Sequence, residues 1–148
     1  KLLLVLSPKP HTVAERLSNS LSWSTRGRQA SDASERLLYF FTAIESLLSD
    51  QDSFSPVADS IARFASVIFT KTAENREPTY LEVKKLYGLR SHLVHRGHRN
   101  VHWLNANNIQ YICELIHQVV WEKIDLDSPH RDFLMGLKSA SHGKPWPD

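Results

Sequence analysis

Arg90 and His95 stand five positions apart in the stretch Leu86-Tyr87-Gly88-Leu89-Arg90-Ser91-His92-Leu93-Val94-His95-Arg96-Gly97-His98. Between them they hold the two groups that RNA cleavage without a metal requires. A base must take the proton of a ribose 2′-hydroxyl, and the same or a second group must protonate the leaving oxygen. Histidine serves both purposes because its ordinary pKa lies near working pH. Arginine best holds the charge that gathers on the phosphate, since its planar fork matches phosphate oxygens.

Spacing alone is not specific. Ten arginines and eight histidines yield two pairs with four to six residues between them, Arg90/His95 and Arg96/His102. Five residues along a helix amount to about 140° of rotation, so Arg90 and His95 do not share a helical face. They converge if the helix ends near His95, for which Gly97 is well placed, or if a second copy of the chain completes the site.

The charge pattern singles out the same region. The chain carries a formal net charge of +2, yet no Asp or Glu occurs from Val83 to Cys113. That stretch holds Lys84, Lys85, Arg90, Arg96 and Arg99, with His92, His95, His98 and His102 beside them. A basic segment on a slightly acidic body points to an anionic partner, nucleic acid first, against the plainer reading of a solvated basic face. Lys84, Lys85, Arg96, His98 and Arg99 are expected to contact phosphates, which positions a nucleic acid without reading its sequence. Tyr80, Tyr87, Trp103 and Tyr111 accompany the region and either stack on bases or pack in the core. His92, His95 and His98 recur at metal-binding intervals, but no cysteine or carboxylate is near. No metal and no cofactor is therefore expected. Cys113 reads as a small packed residue, and its i+4 neighbour His117 lacks the context of a nucleophile pair.

The elements that would position these groups are helical. Thr12-Val13-Ala14-Glu15 has the form of a capping box, followed by Val13, Leu17 and Leu21 at helical spacing. That helix is expected to fade after Trp23, with Arg26-Gly27-Arg28 as a turn. Asp32 starts a second helix with the stripe Leu37, Phe41, Ile44 and Leu48, widened by Leu38 and Leu47. Glu45 lies among them, either at a wet edge or turned towards the basic site. Ser55-Pro56 opens a helix bearing Val57, Ile61, Phe64 and Ile68. Thr79-Tyr80-Leu81-Glu82 opens the helix that carries Leu86, Leu89 and Leu93 inward and ends at Gly97. Asn105 is expected to cap the longest helix, with Ile109, Ile112, Ile116 and Val119 inward. Ser128-Pro129 opens the last, which buries Phe133, Leu134 and Leu137.

The expectation is an all-α, up-and-down bundle of five to six helices over residues 11–138. Residues 1–10 are read as an extended segment or the remnant of a preceding domain, and 139–148 as a flexible tail. No run approaches the roughly 20 apolar residues of a membrane span. One cysteine among 148 residues suits a reducing, cytoplasmic compartment.

Ala43-Ile44-Glu45-Ser46-Leu47-Leu48, followed some forty residues later by Leu86-Tyr87-Gly88-Leu89-Arg90-Ser91-His92-Leu93-Val94-His95, resembles the Apea-like branch of the HEPN superfamily. The likeness runs over about residues 12 to 124. Its most telling part is Tyr-x-x-Arg-Ser-x-x-Val-His, beginning at Tyr87. It implies an all-α bundle that pairs as a homodimer through the motif-bearing helices. In active members it implies metal-independent endoribonuclease activity that leaves 2′,3′-cyclic phosphate ends. By position, Arg90 and His95 match the catalytic pair, and Ser91, Tyr87, His92 and Glu45 take supporting places. One departure is visible: Arg96 follows the histidine where glycine is frequent, with Gly97 one position later. Other members only bind RNA or nucleotides, or serve as toxin, defence or sensor modules beside other domains. The start at Lys1 suits a module with a fused N-terminal domain, an expectation drawn by analogy of fold.

Overall fold

The computed structural model describes residues 1–50, 57–70, 72–97 and 101–147. Among them the chain forms seven α-helices and one short 3-10 turn, Ala73–Asn75. The helices are α1 (Leu2–Leu6), α2 (Val13–Gln29), α3 (Ala33–Leu48), α4 (Val57–Phe69), α5 (Arg76–Arg96), α6 (Trp103–Lys123) and α7 (His130–Ser141). The all-α bundle is as expected, with one helix more than the five or six read from the sequence. The expected start of α4 at Ser55-Pro56 lies outside the described residues, as do His98 and Arg99.

The hub of the bundle is α3. Leu37, Phe40, Phe41, Ile44, Leu47 and Leu48 are all sealed from solvent. They fill more than one face because α3 packs on α2, α6, α4 and α5. Asp32 caps it, its side chain accepting from the Ser34 N–H at 2.6 Å. The α4–α5 pair packs on one side, and α7 lies against α4 and α2.

The start of α2 is built by contacts made far along the chain. Thr12 Oγ1 accepts from the Glu15 N–H at 3.3 Å, and the Glu15 carboxylate reaches back to the His11 N–H at 2.7 Å. The first free N–H groups of the helix, on Val13 and Ala14, donate to the carbonyls of Ser128 and Leu126. The His130 N–H closes the arrangement on the His11 carbonyl at 2.8 Å. Donors that a helix cannot satisfy internally thus become a clasp to the α6–α7 connection.

Several boundaries differ from the sequence reading, each for a physical reason. The run Leu2–Leu6 is helical rather than extended, with Val5 buried on the core. α2 does not turn at Arg26-Gly27-Arg28 but runs through it to Gln29. Gly27 is there to admit α3: a Cβ at this position would lie 2.7 Å from Phe40 Cε2. α5 begins at Arg76, three residues before Thr79. Pro78 is tolerated because the first turn needs no N–H donor from it. α6 is capped by His102, whose Nδ1 accepts from the Leu104 N–H at 3.0 Å, not by Asn105. Its inward residues include Ile109, Ile112, Ile116 and Val120, whereas Val119 is half-buried. α7 begins at His130, with Pro129 as its cap residue. Ser139 to Ser141 continue α7 rather than starting a tail, and beyond them the Trp146 ring sits 6.0 Å from that of Phe133. Among the described residues no helix is long and apolar enough to cross a membrane.

Candidate active site on the fifth helix

α5 turns two different faces to two different surroundings. Its inner row is Val83, Leu86, Arg90 and Leu93, at intervals of three, four and three residues, so Arg90 occupies a place where an apolar side chain would be expected. Its outer row is Leu81, Lys85, Gly88, His92 and His95, all exposed. Gly97 ends the helix with a φ of +63°, its N–H donating to the Leu93 carbonyl at 3.1 Å. Glycine enters that left-handed region without steric cost, as the sequence reading expected.

Arg90 meets Glu45 of α3. Its Nη2 donates to Glu45 Oε2 at 3.3 Å, and Oε1 of the same carboxylate lies 3.1 Å from Nη2. Oε1 is nonetheless buried without a hydrogen bond, as is Arg90 Nε. The contact is one ion pair with poor alignment rather than a bidentate clasp. Arg90 Nη1 also donates to the Tyr87 hydroxyl at 3.3 Å, and the guanidinium carbon lies 5.2 Å from the centre of the Tyr87 ring. The Tyr87 ring is itself fixed edge-on against Phe41, 5.5 Å between centres.

Burial decides the protonation behaviour of this cluster. It raises the Glu45 pKa above the ordinary carboxylate value, although Arg90 and the Tyr87 hydroxyl pull the other way. It also raises the Tyr87 phenol, with the nearby Glu45 charge adding to the effect. The Arg90 and Glu45 side chains keep 24% and 22% of their surface exposed, so the pair sits at the bundle surface rather than sealed within it.

The expected site residues therefore divide. Glu45, Tyr87 and Arg90 come together. His95 and His92 point away on the outer face of α5, and α5 is still helical at His95, so an early helix end does not bring Arg90 and His95 together. Ser91 is half-buried, and among the described residues its hydroxyl makes no hydrogen bond. Lys84 lies 3.8 Å from the Asp59 carboxylate and 5.5 Å from the Tyr80 ring centre, so it is partly committed within the protein. Lys85 and Arg96 are exposed. Among the described residues no group of three or more His, Cys, Asp or Glu side chains is placed to hold a metal.

Two polar clusters escaped the sequence reading because their members lie far apart in the chain. Asp59 gathers Arg63 at 2.7 Å, the Tyr80 hydroxyl and Lys84. Deep in the core, Ser20 Oγ lies 2.6 Å from both the Ala43 carbonyl and His117 Nε2. Ser20 donates to the carbonyl, so it must accept from His117, which fixes the imidazole as the neutral Nε2–H tautomer. Cys113 Sγ is 3.7 Å from the same nitrogen. Burial pushes the Cys113 thiol up and lowers His117 to about 4, which leaves a protonated thiol beside a neutral ring rather than an activated nucleophile.

No family model matches the chain, nor does any curated protein or solved structure.

Proposed function

We propose that the chain is a metal-independent endoribonuclease that acts on RNA as a homodimer. The observation that carries this reading is the setting of Arg90, a guanidinium held at the surface by a carboxylate that is a weak partner for it. Burial disfavours the ionised form of Glu45, and one of its oxygens makes no hydrogen bond. An RNA phosphate offers Arg90 a stronger, bidentate acceptor and would draw it from Glu45. His95, one and a half turns on in a stretch without carboxylates, would take the 2′-hydroxyl proton. The 2′-oxygen would then form a bond to phosphorus while the bond to the 5′-oxygen breaks, and the imidazolium would return the proton to that leaving oxygen. The products are a 2′,3′-cyclic phosphate and a 5′-hydroxyl end. Because Arg90 and His95 lie on opposite faces of α5, the reading calls for a second copy of the chain to complete the site, against the outer row where a Cβ on Gly88 would meet nothing within 4 Å. By the same resemblance the chain would be an effector module of a larger cytoplasmic defence, toxin or sensor protein.

The opposition of Arg90 and His95 within one chain favours a second reading, a non-catalytic HEPN-like module that binds RNA or a nucleotide or mediates pairing. The deciding experiment incubates labelled structured RNA with the purified protein in EDTA, beside His95→Ala and Arg90→Ala. Cleavage to cyclic phosphate ends by the parent and by neither variant supports the nuclease. Equal cleavage by parent and variants removes the assignment. Salt-sensitive binding without turnover supports the second reading.

A further inference from the structure

α7 presents one face to α4 across an open groove. Arg131, Leu134, Met135, Lys138 and His142 follow at helical spacing and all line it, and the groove has a volume of about 500 Å³. That is the size range of pockets for small organic molecules. Phe64 of α4 completes an apolar floor with Leu134 and Met135, and Met135 is 55% exposed.

The charges around this floor are unevenly committed. Asp59 and Arg63 both line the groove, but they pair with each other, and Asp59 is further held by Tyr80 and Lys84. Asp50 stands at the end of the groove next to α3. Arg131 and Lys138, two turns apart on α7 and about 10 Å along its axis, have no carboxylate within ion-pair distance among the described residues. His142 adds a titratable group on the same side. Two cations with no ion-paired carboxylate among the described residues, flanking an exposed apolar floor, are complementary to a molecule with an acid group and an apolar body. The groove shares no residue with the Glu45, Tyr87 and Arg90 cluster.

We propose that the α4–α7 groove binds a small organic anion, an aryl or alkyl carboxylate or phosphate monoester. The acid group sits on Arg131 or Lys138, and the body lies on Phe64, Leu134 and Met135. Arginine suits the acid because its planar fork matches carboxylate and phosphate oxygens alike. The apolar floor supplies the remainder through burial of the body.

The test is a titration of the isotope-labelled chain followed by amide shifts, with phenyl phosphate and 4-phenylbutyrate as probes. 4-Phenylbutanol and inorganic phosphate supply the apolar body and the anion separately. The expected result is saturable shifts confined to α4 and α7 with both probes, at least about tenfold weaker with either control. Arg131→Gln with Lys138→Gln should weaken probe binding by about tenfold or more, since both changes lie on exposed positions and remove the charged contacts. Lys123→Gln, a charge change elsewhere on the surface, should leave binding unchanged. The amide spectrum itself reports that each variant is folded. Absence of saturable shifts up to about 10 mM probe would overturn the proposal. So would an alcohol or inorganic phosphate that binds as tightly as the probes, an acidic peptide that displaces them while they bind no tighter than the controls, or a double variant with undiminished binding.

Discussion

The Glu45 carboxylate and the Arg90 guanidinium face each other between α3 and α5 at 3.1 Å, yet each leaves one buried polar atom without a hydrogen bond. Such a pair adds little net stability, because the cost of drying two charges offsets most of their attraction. Removing one partner is a different matter, since the other charge then stays half-buried alone.

Glu45→Ala should therefore lower stability by about 2 kcal/mol, less than for a sealed pair because both side chains are partly wet. Glu45→Ala combined with Arg90→Met should recover at least half of that loss, since no lone charge remains. Urea denaturation of the two variants beside the parent measures both. A double variant no more stable than the single one would show that the loss comes from packing instead.

The core histidines predict acid sensitivity. His117 is lowered from 6.5 to about 4 by burial, and His130, which donates to the Leu47 carbonyl at 2.7 Å, is lowered for the same main reason. In both cases the unfolded chain takes up a proton that the folded chain refuses. For His117 stability is thus full above the unfolded value, falls as pH drops from 6.5 towards about 4 and levels off below it, and His130 adds a loss of the same sign. For His117 the loss over this window is about 3 kcal/mol. Glu45 acts with the opposite sign: its raised folded pKa adds stability in acid that is lost as pH rises through the folded value. Urea midpoints measured across the window should fall with acid in the parent, and less steeply in His117→Leu. An equal slope in that variant would remove His117 from the account.

Two glycines in helix interiors should respond oppositely to alanine. At Gly27 the added Cβ would stand 2.7 Å from Phe40 Cε2, so Gly27→Ala should cost about 1–3 kcal/mol despite the better helix propensity of alanine. Gly27→Ala with Phe40→Leu should cost less than the two changes summed. At Gly88 an added Cβ would meet nothing within 4 Å, so Gly88→Ala should stabilise the isolated chain by about 1 kcal/mol. Thermal unfolding of the variants reads both signs.

Gly97→Ala forces a side chain into a φ of +63° at the end of α5. It should cost about 1 kcal/mol and loosen the last turn, which carries His95. Amide exchange at residues 93 to 96 should speed up in the variant, and unaltered exchange would count against a role for Gly97 in holding that turn.

What was legible in the sequence was local. Thr12 and Asp32 as caps, the Leu37 to Leu48 stripe and the Gly97 stop are each set by residues within one or two turns. Arg90 and Tyr87 could be singled out, and Glu45 was named with the choice between a wet edge and the basic site left open. That choice depends on how α3 and α5 pack. Gly27 looks like a turn in the sequence because its reason for being small, the Phe40 ring, belongs to another helix. His102 does not stand out as a cap in the sequence, because an imidazole accepts only through an unprotonated nitrogen, whereas asparagine at 105 has the commoner cap chemistry. Ser20 with His117, and Asp59 with Tyr80, are joined only by the tertiary arrangement. Neither could be found by spacing.

The clasp at the start of α2 sets an order of events. Val13 and Ala14 find their acceptors at Ser128 and Leu126, more than a hundred residues later in the chain. On the ribosome, α2 must therefore wait with its first turn open until almost the whole domain has emerged. Contacts of such long sequence separation are slow to form, so closure of this joint should be among the last steps of folding. A nascent chain stalled before residue 126 would carry a frayed α2 entrance, the natural place for a chaperone or a protease to act first.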